Sequence, residues 1–239
     1  MRVFLGFDDT DVVGADRGTG KFARWFEEKL PAGVRLHGVV RQQLPVLEGI
    51  PYTSQNSSAC LILDDVEPLQ VDELIDRGTN HIREHFIDGS DPGLCVVVEN
   101  GVSPGELIDF ARKASSSLVS QKEAMVAAKK FHLSGHGGTN DGIIGAAAGV
   151  GLTMTGWSGR YIEYNGLRDF GEFVRVGELE KRGIRVLSVD RNALFTAPDD
   201  IVDTRNWLRP RLWGWEAVLP VSSAGQGRWR AIAGKNKAQ

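Results

Sequence analysis

Cysteine is scarce. Cys60 and Cys95 are the two cysteines in 239 residues. Two thiols cannot make a zinc-ribbon ligand set, and both sit in apolar runs, SACLIL and GLCVVV, as buried thiols of a reducing compartment do. Long hydrophobic runs are also lacking. No stretch approaches the ~20 apolar residues of a membrane span, and the opening MRVFLGF is too short for a signal peptide and meets acids at once. These absences imply a cytoplasmic protein with no membrane partner. There is no excess of positive charge either: 28 Lys and Arg stand against 31 Asp and Glu, a formal net charge of −3. Any nucleic-acid contact therefore needs a local basic face. Internal repeats, low-complexity tracts and a proline-rich linker are absent.

What is present suits a globular chain. Apolar residues make up 41% and charged residues 25%, and the length fits one large domain or two small ones. Strand-like runs at 2–7 (RVFLGF), VRLHGVV, ACLILDDV and GLCVVVEN alternate with the helix-like segments KFARWFEEKL, VDELIDRGTNHIREHF and SPGELIDFARKASSSL. In the last of these Ser103 is the expected N-cap, with Pro104 at the first helical position and Glu106 closing a capping box. This alternation argues an α/β layered domain over residues 1–120. Residues 121–239 are expected to form a second, α+β unit. It begins with the helical QKEAMVAAKKF, the loop HLSGHGGTNDG and the small-residue helix IIGAAAGVGL. Short β segments then follow in RYIEYN, FVRVGEL, IRVLSVD, WEAVLPV and RWRAIAG.

The first strand runs straight into Asp8, Asp9, Thr10 and Asp11. Like charges this close raise one another's pKa, and a divalent cation repays that cost. Magnesium takes oxygen ligands, one or two of them carboxylates, together with waters and phosphates. The plainer alternative is that Thr10 and Asp11 only cap a turn. The next loop, RGTGK, offers Gly18, Thr19, Gly20 and Lys21 to a phosphate ahead of a helix. It is not a Walker A loop, because Phe22 follows the lysine, and an ordinary loop with a capping threonine is the plainer reading. In HLSGHGGTNDGIIG, the residues Gly137, Gly138, Asn140 and Gly142 precede a helix whose small residues permit close approach of a ligand or of another element. His132 and His136 are four apart, but Gly135 argues against the helix that a zinc pair at that spacing wants, so no zinc is expected there. In IPYTSQNSSA, Asn56 can bind a ligand or satisfy its own loop. Near the carboxyl end, RNWLRPRLWGW sets Arg205, Arg209 and Arg211 among Trp207, Trp213 and Trp215. That is either a base-stacking face or tryptophan core. Metal carboxylates, a phosphate loop and a glycine-rich helix start are the parts phosphoryl transfer uses.

Three blocks in order, GFDDTD with its Gly-Thr loop, IPYTSQNSSA, and NDGIIGAAAGVGL, resemble the archaeal agmatinylcytidine synthetases that modify the wobble cytidine of an isoleucine tRNA. The family's blocks read G-[IV]-D-D-T-D, I-P-[WY]-K-T-R-G-N-G-A and G-x-G-x-I-G-A-L-A-A-[IL]-G. The resemblance implies a kinase-like domain followed by a ferredoxin-like one, and the use of ATP and Mg2+ to phosphorylate a cytosine oxygen that an amine then displaces. It implies that Asp8, Asp9 and Asp11 hold the metal and that Thr19 matches a threonine that accepts phosphate. The family's OB-fold and zinc ribbon have no counterpart in these residues, and Thr53, Ser54 and Gln55 stand where the family has Lys-Thr-Arg. The expectation is therefore an ATP- and Mg2+-dependent phosphotransferase or ligase acting on a small molecule or an RNA. Asn56 and the 137–145 segment complete its nucleotide or substrate pocket. Two rivals are a non-catalytic nucleotide-binding regulatory module and a haloacid-dehalogenase-like phosphatase built on Asp9-x-Asp11. Val13 disfavours the second, since it occupies the slot where such enzymes carry threonine.

Overall fold

The computed structural model describes residues 1–50, 56–192 and 194–232. Thr53, Ser54 and Gln55 lie outside the described residues, as does the tail. The chain divides into two compact units, 1–155 and 156–239.

The first unit is built on five strands in the order β5-β4-β1-β3-β2: β1 (Val3–Asp8), β2 (Arg35–Gln43), β3 (Ser57–Asp64), β4 (Gly93–Val98) and β5 (His132–Gly135). Every pairing among them is antiparallel. The sequence alternates strands and helices, yet no parallel crossover results, and the fold is α+β. Antiparallel strands normally show one polar face. Here both faces are covered, so β1, β3 and β4 read as continuous apolar runs. Register assigns the faces. Val3, Leu5 and Phe7 point one way and pair with Leu63, Leu61 and Ala59. Phe7 meets Phe22 and Phe26 edge-on at centroid distances of 5.0 and 5.5 Å. This places α1 (Thr19–Trp25), the 3-10 turn Phe26–Lys29 and α2 (Gln70–Glu84) on that side. Phe4, Gly6 and Asp8 point the other way, toward α5 (Gly142–Met154), which packs with α3 (Gly105–Ala114). A Cβ at Gly6 would strike Val150 and the Ala146 carbonyl. The close seating of α5 is why its sequence is glycine and alanine.

Three sequence expectations change. The division falls at 155/156 rather than 120/121, because β5 pairs with β4 and α5 packs on β1, β3 and β4. The segment HLSG, expected as loop, is strand β5, since the sheet edge supplies partners that local glycines do not advertise. The Ser103 capping box does not form. Pro104 is the N-cap, with no side-chain cap, and Glu106 pairs with Lys129 instead. The capping box belongs to α4 (Gln121–Ala127), where Ser120 and Glu123 satisfy each other's backbone N–H.

The second unit carries β6 (Arg160–Glu163), β7 (Phe173–Arg175), α6 (Val176–Lys181), β8 (Ile184–Ser188), β9 (Ile201–Asp203), β10 (Arg211–Trp213), β11 (Glu216–Gly225) and β12 (Arg228–Ala231). Its strands run β6-β10-β11-β12-β9-β7, with β8 parallel to β11. Strands β9 and β10 were not expected from sequence. Three residues each, they are too short to show alternation. No described helix is long and apolar enough to cross a membrane.

Candidate functional site

A cleft opens where β1 ends. Asp8, Asp9, Asp11 and Thr19 line one part of it, with Asn56 and Ser57 from the start of β3 and Asp141, Gly142, Ile144 and Gly145 from the start of α5. Leu44, Pro45 and Ile50 after β2 and Ala114, Leu118 and Val119 after α3 give it an apolar wall. Charged floor and apolar wall together suit a ligand with a polar end and a flat apolar end.

The acids are not alike. Asp8 is the last residue of β1 and projects toward α5, where a Cβ on Gly145 would overlap its carboxylate. Burial pushes its pKa up to about 8, and the charges of Asp9 and Asp11 push the same way. Asp9 follows in the left-handed region at φ +49°, a conformation costly for most L residues though less so for aspartate. Burial, with Asp91 and Asp11, raises its pKa to about 6, and Asp141 adds to the effect. Asp11 is engaged differently. Its Oδ1 accepts from the backbone N–H and the hydroxyl of Thr19, each at 3.2 Å. Thr10 donates to Thr19 Oγ1, also at 3.2 Å. Asp11 so ties the β1 loop to the start of α1. Arg17, buried, donates to the Thr10 carbonyl and to the His85 carbonyl, which ties the loop down.

The sequence-predicted residues therefore separate. Asp8, Asp9, Asp11, Thr19, Asn56 and Gly142 share the cleft lining. Gly18 lines the adjoining loop pocket with Asp11. Gly20, Lys21, Gly137, Gly138 and Asn140 are not in the cleft lining. Lys21 instead sets its ammonium 5.1 Å from the Trp25 ring centroid. Thr139 bonds Asp91 through both its N–H and its hydroxyl, so the 137–140 loop serves to hold Asp91. Asn56 donates to the Pro45 carbonyl, fixing the apolar wall.

Sequence reading missed Arg41. It stands near the end of β2, donates to Ser57 Oγ at 2.7 and 3.1 Å, and feels the Asp11 charge. It brings a half-buried cation to the rim of an acidic cleft. The signal was the switch from apolar to polar residues in VVRQQ.

Magnesium is implied by the resemblance, and the donor set can be tested against it. Among the described residues no three His, Cys, Asp or Glu side chains stand together as a ready metal group. Asp8 and Asp9 alone fit the ion's habit of taking one or two carboxylates and leaving the rest to water and phosphate. Their mutual repulsion is what a cation relieves.

No family model matches the chain. No curated protein matches it. Solved structures do. One is a tRNA fluorescent labeling enzyme, 28% identical over 63% of this chain and 36% of that one, with a TM-score of 0.52. Another is apo TiaS, an agmatidine synthetase acting on an isoleucine tRNA, at 27% identity over 63% of this chain and 35% of that one, with a TM-score of 0.50. A third is TiaS in complex with that tRNA and ATP, at 27% identity over 63% and 36%, with a TM-score of 0.52. The chain spans about a third of the length of each. Over that shared part its fold is similar to that of the tRNA agmatidine synthetase, the family its three motifs resemble.

Proposed function

We propose that the chain is an ATP- and Mg2+-dependent phosphotransferase of the agmatidine-synthetase type, acting on RNA. The observation that carries this is the cleft at the end of β1, where paired acids, a threonine and an apolar wall meet. A complex of the structural relative with ATP and its isoleucine tRNA supports it.

Each side chain then has a part. Asp8 and Asp9 would hold magnesium, which when bound offsets charge on the phosphate oxygens. Leu44, Pro45, Ile50, Leu118 and Val119 would offer the flat base an apolar surface and keep water from it. Arg41, held to Ser57, would offer its charge to a phosphate. The Thr19 hydroxyl, already donating to Asp11, is set as a nucleophile. Its oxygen would attack the terminal phosphorus, the Oγ–P bond forming as the bond to the diphosphate breaks, with the proton passing to Asp11. Asp11 so orients Thr19 instead of completing the metal set.

Charge favours RNA over a small molecule as the acceptor. Residues 1–155 hold 14 Lys and Arg against 21 Asp and Glu, whereas residues 156–239 hold 14 against 10. The second unit also displays Trp157, Trp207 and Trp215, all exposed, with Arg209 4.2 Å over the Trp207 ring and Arg211 5.3 Å over Trp213. Arginine and exposed indole together suit stacked, anionic partners.

Intact-mass spectrometry after incubation with ATP and Mg2+ tests the reading. One added phosphate mapped to Thr19 is expected, lost in Asp8→Asn and in Thr19→Ala. ATP turnover by Asp8→Asn at the parent rate rejects the metal assignment. ATP binding without turnover favours the regulatory module, and an aspartyl adduct with beryllofluoride at Asp9 favours the phosphatase.

A further inference from the structure

The chain has five histidines. His81 and His85 stack in the aromatic layer under Phe22, and His37 pairs with Asp64. His132 and His136 are left over. His132 opens β5 and His136 directly follows it, at the outer edge of the first unit's sheet, where residues two apart share a face. Ser134 lies between them. His132 Nε2 is 2.9 Å from Ser134 Oγ, and His136 Nε2 is 2.8 Å from the same oxygen. Ser134 pairs with Leu94, whose side chain lies against Gly78 of α2. Gly93, the neighbour facing the other way, lies against α5. The three side chains therefore occupy the α2 face of the sheet, opposite the acidic cleft.

The spacing alone argues against zinc here because it presumes a helix, but along strand β5 and the residue after it the two rings share a face. We propose that His132, Ser134 and His136 form a site for a first-row transition-metal ion such as Zn2+, separate from the cleft and independent of its function. Two imidazole nitrogens already converge on one point, with a hydroxyl oxygen at it. Imidazole is the side chain these ions prefer, whereas the cleft offers carboxylates suited to magnesium. Zn–N bonds of about 2.0–2.1 Å need the two rings to turn toward a shared ion, with water completing the shell. Burial lowers the pKa of both rings, which favours the neutral imidazole that a metal takes, and metal binding replaces the two hydrogen bonds to Ser134. Arg83 on α2 also lowers His136. Its charge opposes a cation as well as a proton, which weakens the site. An ion held here would clip the edge strand in place and stabilise the folded unit.

Equilibrium dialysis of the full chain against Zn2+ alone tests this. In an Asp8→Asn/Asp9→Asn chain, which lacks the two acids assigned to magnesium, one zinc per chain should still bind. His132→Ala and His136→Ala should each weaken that uptake by about tenfold or more. Imidazole 15N spectra of the unmutated chain should show the Nε2 signals of both rings shifting together on adding Zn2+, a readout that does not depend on how the variants fold. Zinc that shifts neither ring overturns the proposal. So does uptake that persists in both histidine variants, or that disappears with those two acids while both histidines remain.

Discussion

Gly145 shows how one missing carbon shapes the site. It sits inside α5, where alanine would gain roughly 1 kcal/mol of helix propensity over glycine. Yet a Cβ there would overlap the Asp8 carboxylate. Gly145→Ala is therefore expected to weaken Mg2+-ATP binding at least about tenfold, read by calorimetry, and to cost ~1–3 kcal/mol in a urea titration through overpacking. A variant that is more stable and binds unchanged would show that Asp8 does not lean on the helix. His81 is a second case. It is buried against Phe7, Phe22 and Phe26, with Nε2 3.0 Å from the Phe22 carbonyl and Nδ1 without a partner. Burial lowers its pKa from 6.5 to about 4. Between those values the unfolded chain binds a proton that the folded chain refuses, so this stability is complete above pH 6.5 and is lost as pH falls toward 4. Urea midpoints taken at about pH 7 and about pH 5 should differ less in His81→Phe than in the parent. An equal difference in the two proteins would assign the acid sensitivity elsewhere. The acids at the end of β1 were legible from sequence because carboxylates after an apolar run are conspicuous. Arg41 was not, because its partners, Ser57 and Asp11, come from other elements that only the sheet brings near.

At the scale of elements, local chemistry and tertiary packing divide the outcome. Ser103 and Ser120 stand in similar settings, each with a glutamate three residues on, but only Ser120 receives the N3 amide and is bonded back. Ser120→Ala should cost about 1 kcal/mol of stability, and Ser103→Ala less than about 0.5, in paired urea titrations. Equal costs would mean that α3 is capped as its sequence suggests. Ser103 Oγ instead accepts from the Gly105 N–H, at 3.4 Å. Pro104 itself takes the N-cap position, with φ −84° and ψ 13°, leaving Glu106 free to reach Lys129. The four apolar strands of the first unit were readable, since each is long enough to show its run and each carries several buried apolar residues. β5 was not, because a histidine, a leucine, a serine and a glycine show no apolar run or alternation of their own. Its pairing with β4 comes from backbone hydrogen bonding at a free edge. The same holds for β9 and β10, which are fixed by neighbouring strands.

At the scale of the whole molecule, the position of the division carries a consequence for the chain's independence. The face formed by Phe4, Cys60, Ile62, Cys95 and Val97 is wholly buried, and register places all five on the side of the sheet that α5 covers. A fragment of residues 1–120 would leave that face without α5 and leave β4 without β5. Ile143, Val150 and Leu152 are among the buried residues it would lack. At ~1.5–3 kcal/mol for each large aliphatic side chain, that loss rivals the roughly 5–15 kcal/mol that holds a typical domain together. Residues 1–155 keep every strand and helix of the first unit, and with them the full lining of the cleft. The expectation is that 1–155, made alone, unfolds in one cooperative urea transition and binds Mg2+-ATP within about threefold of the full chain. Residues 1–120 should give no cooperative transition and bind the dye ANS as loosely packed states do. A cooperative, nucleotide-binding 1–120 fragment would move the boundary back to where strand and helix alternation alone had set it, and would make α5 an accessory to the core instead of one of its walls.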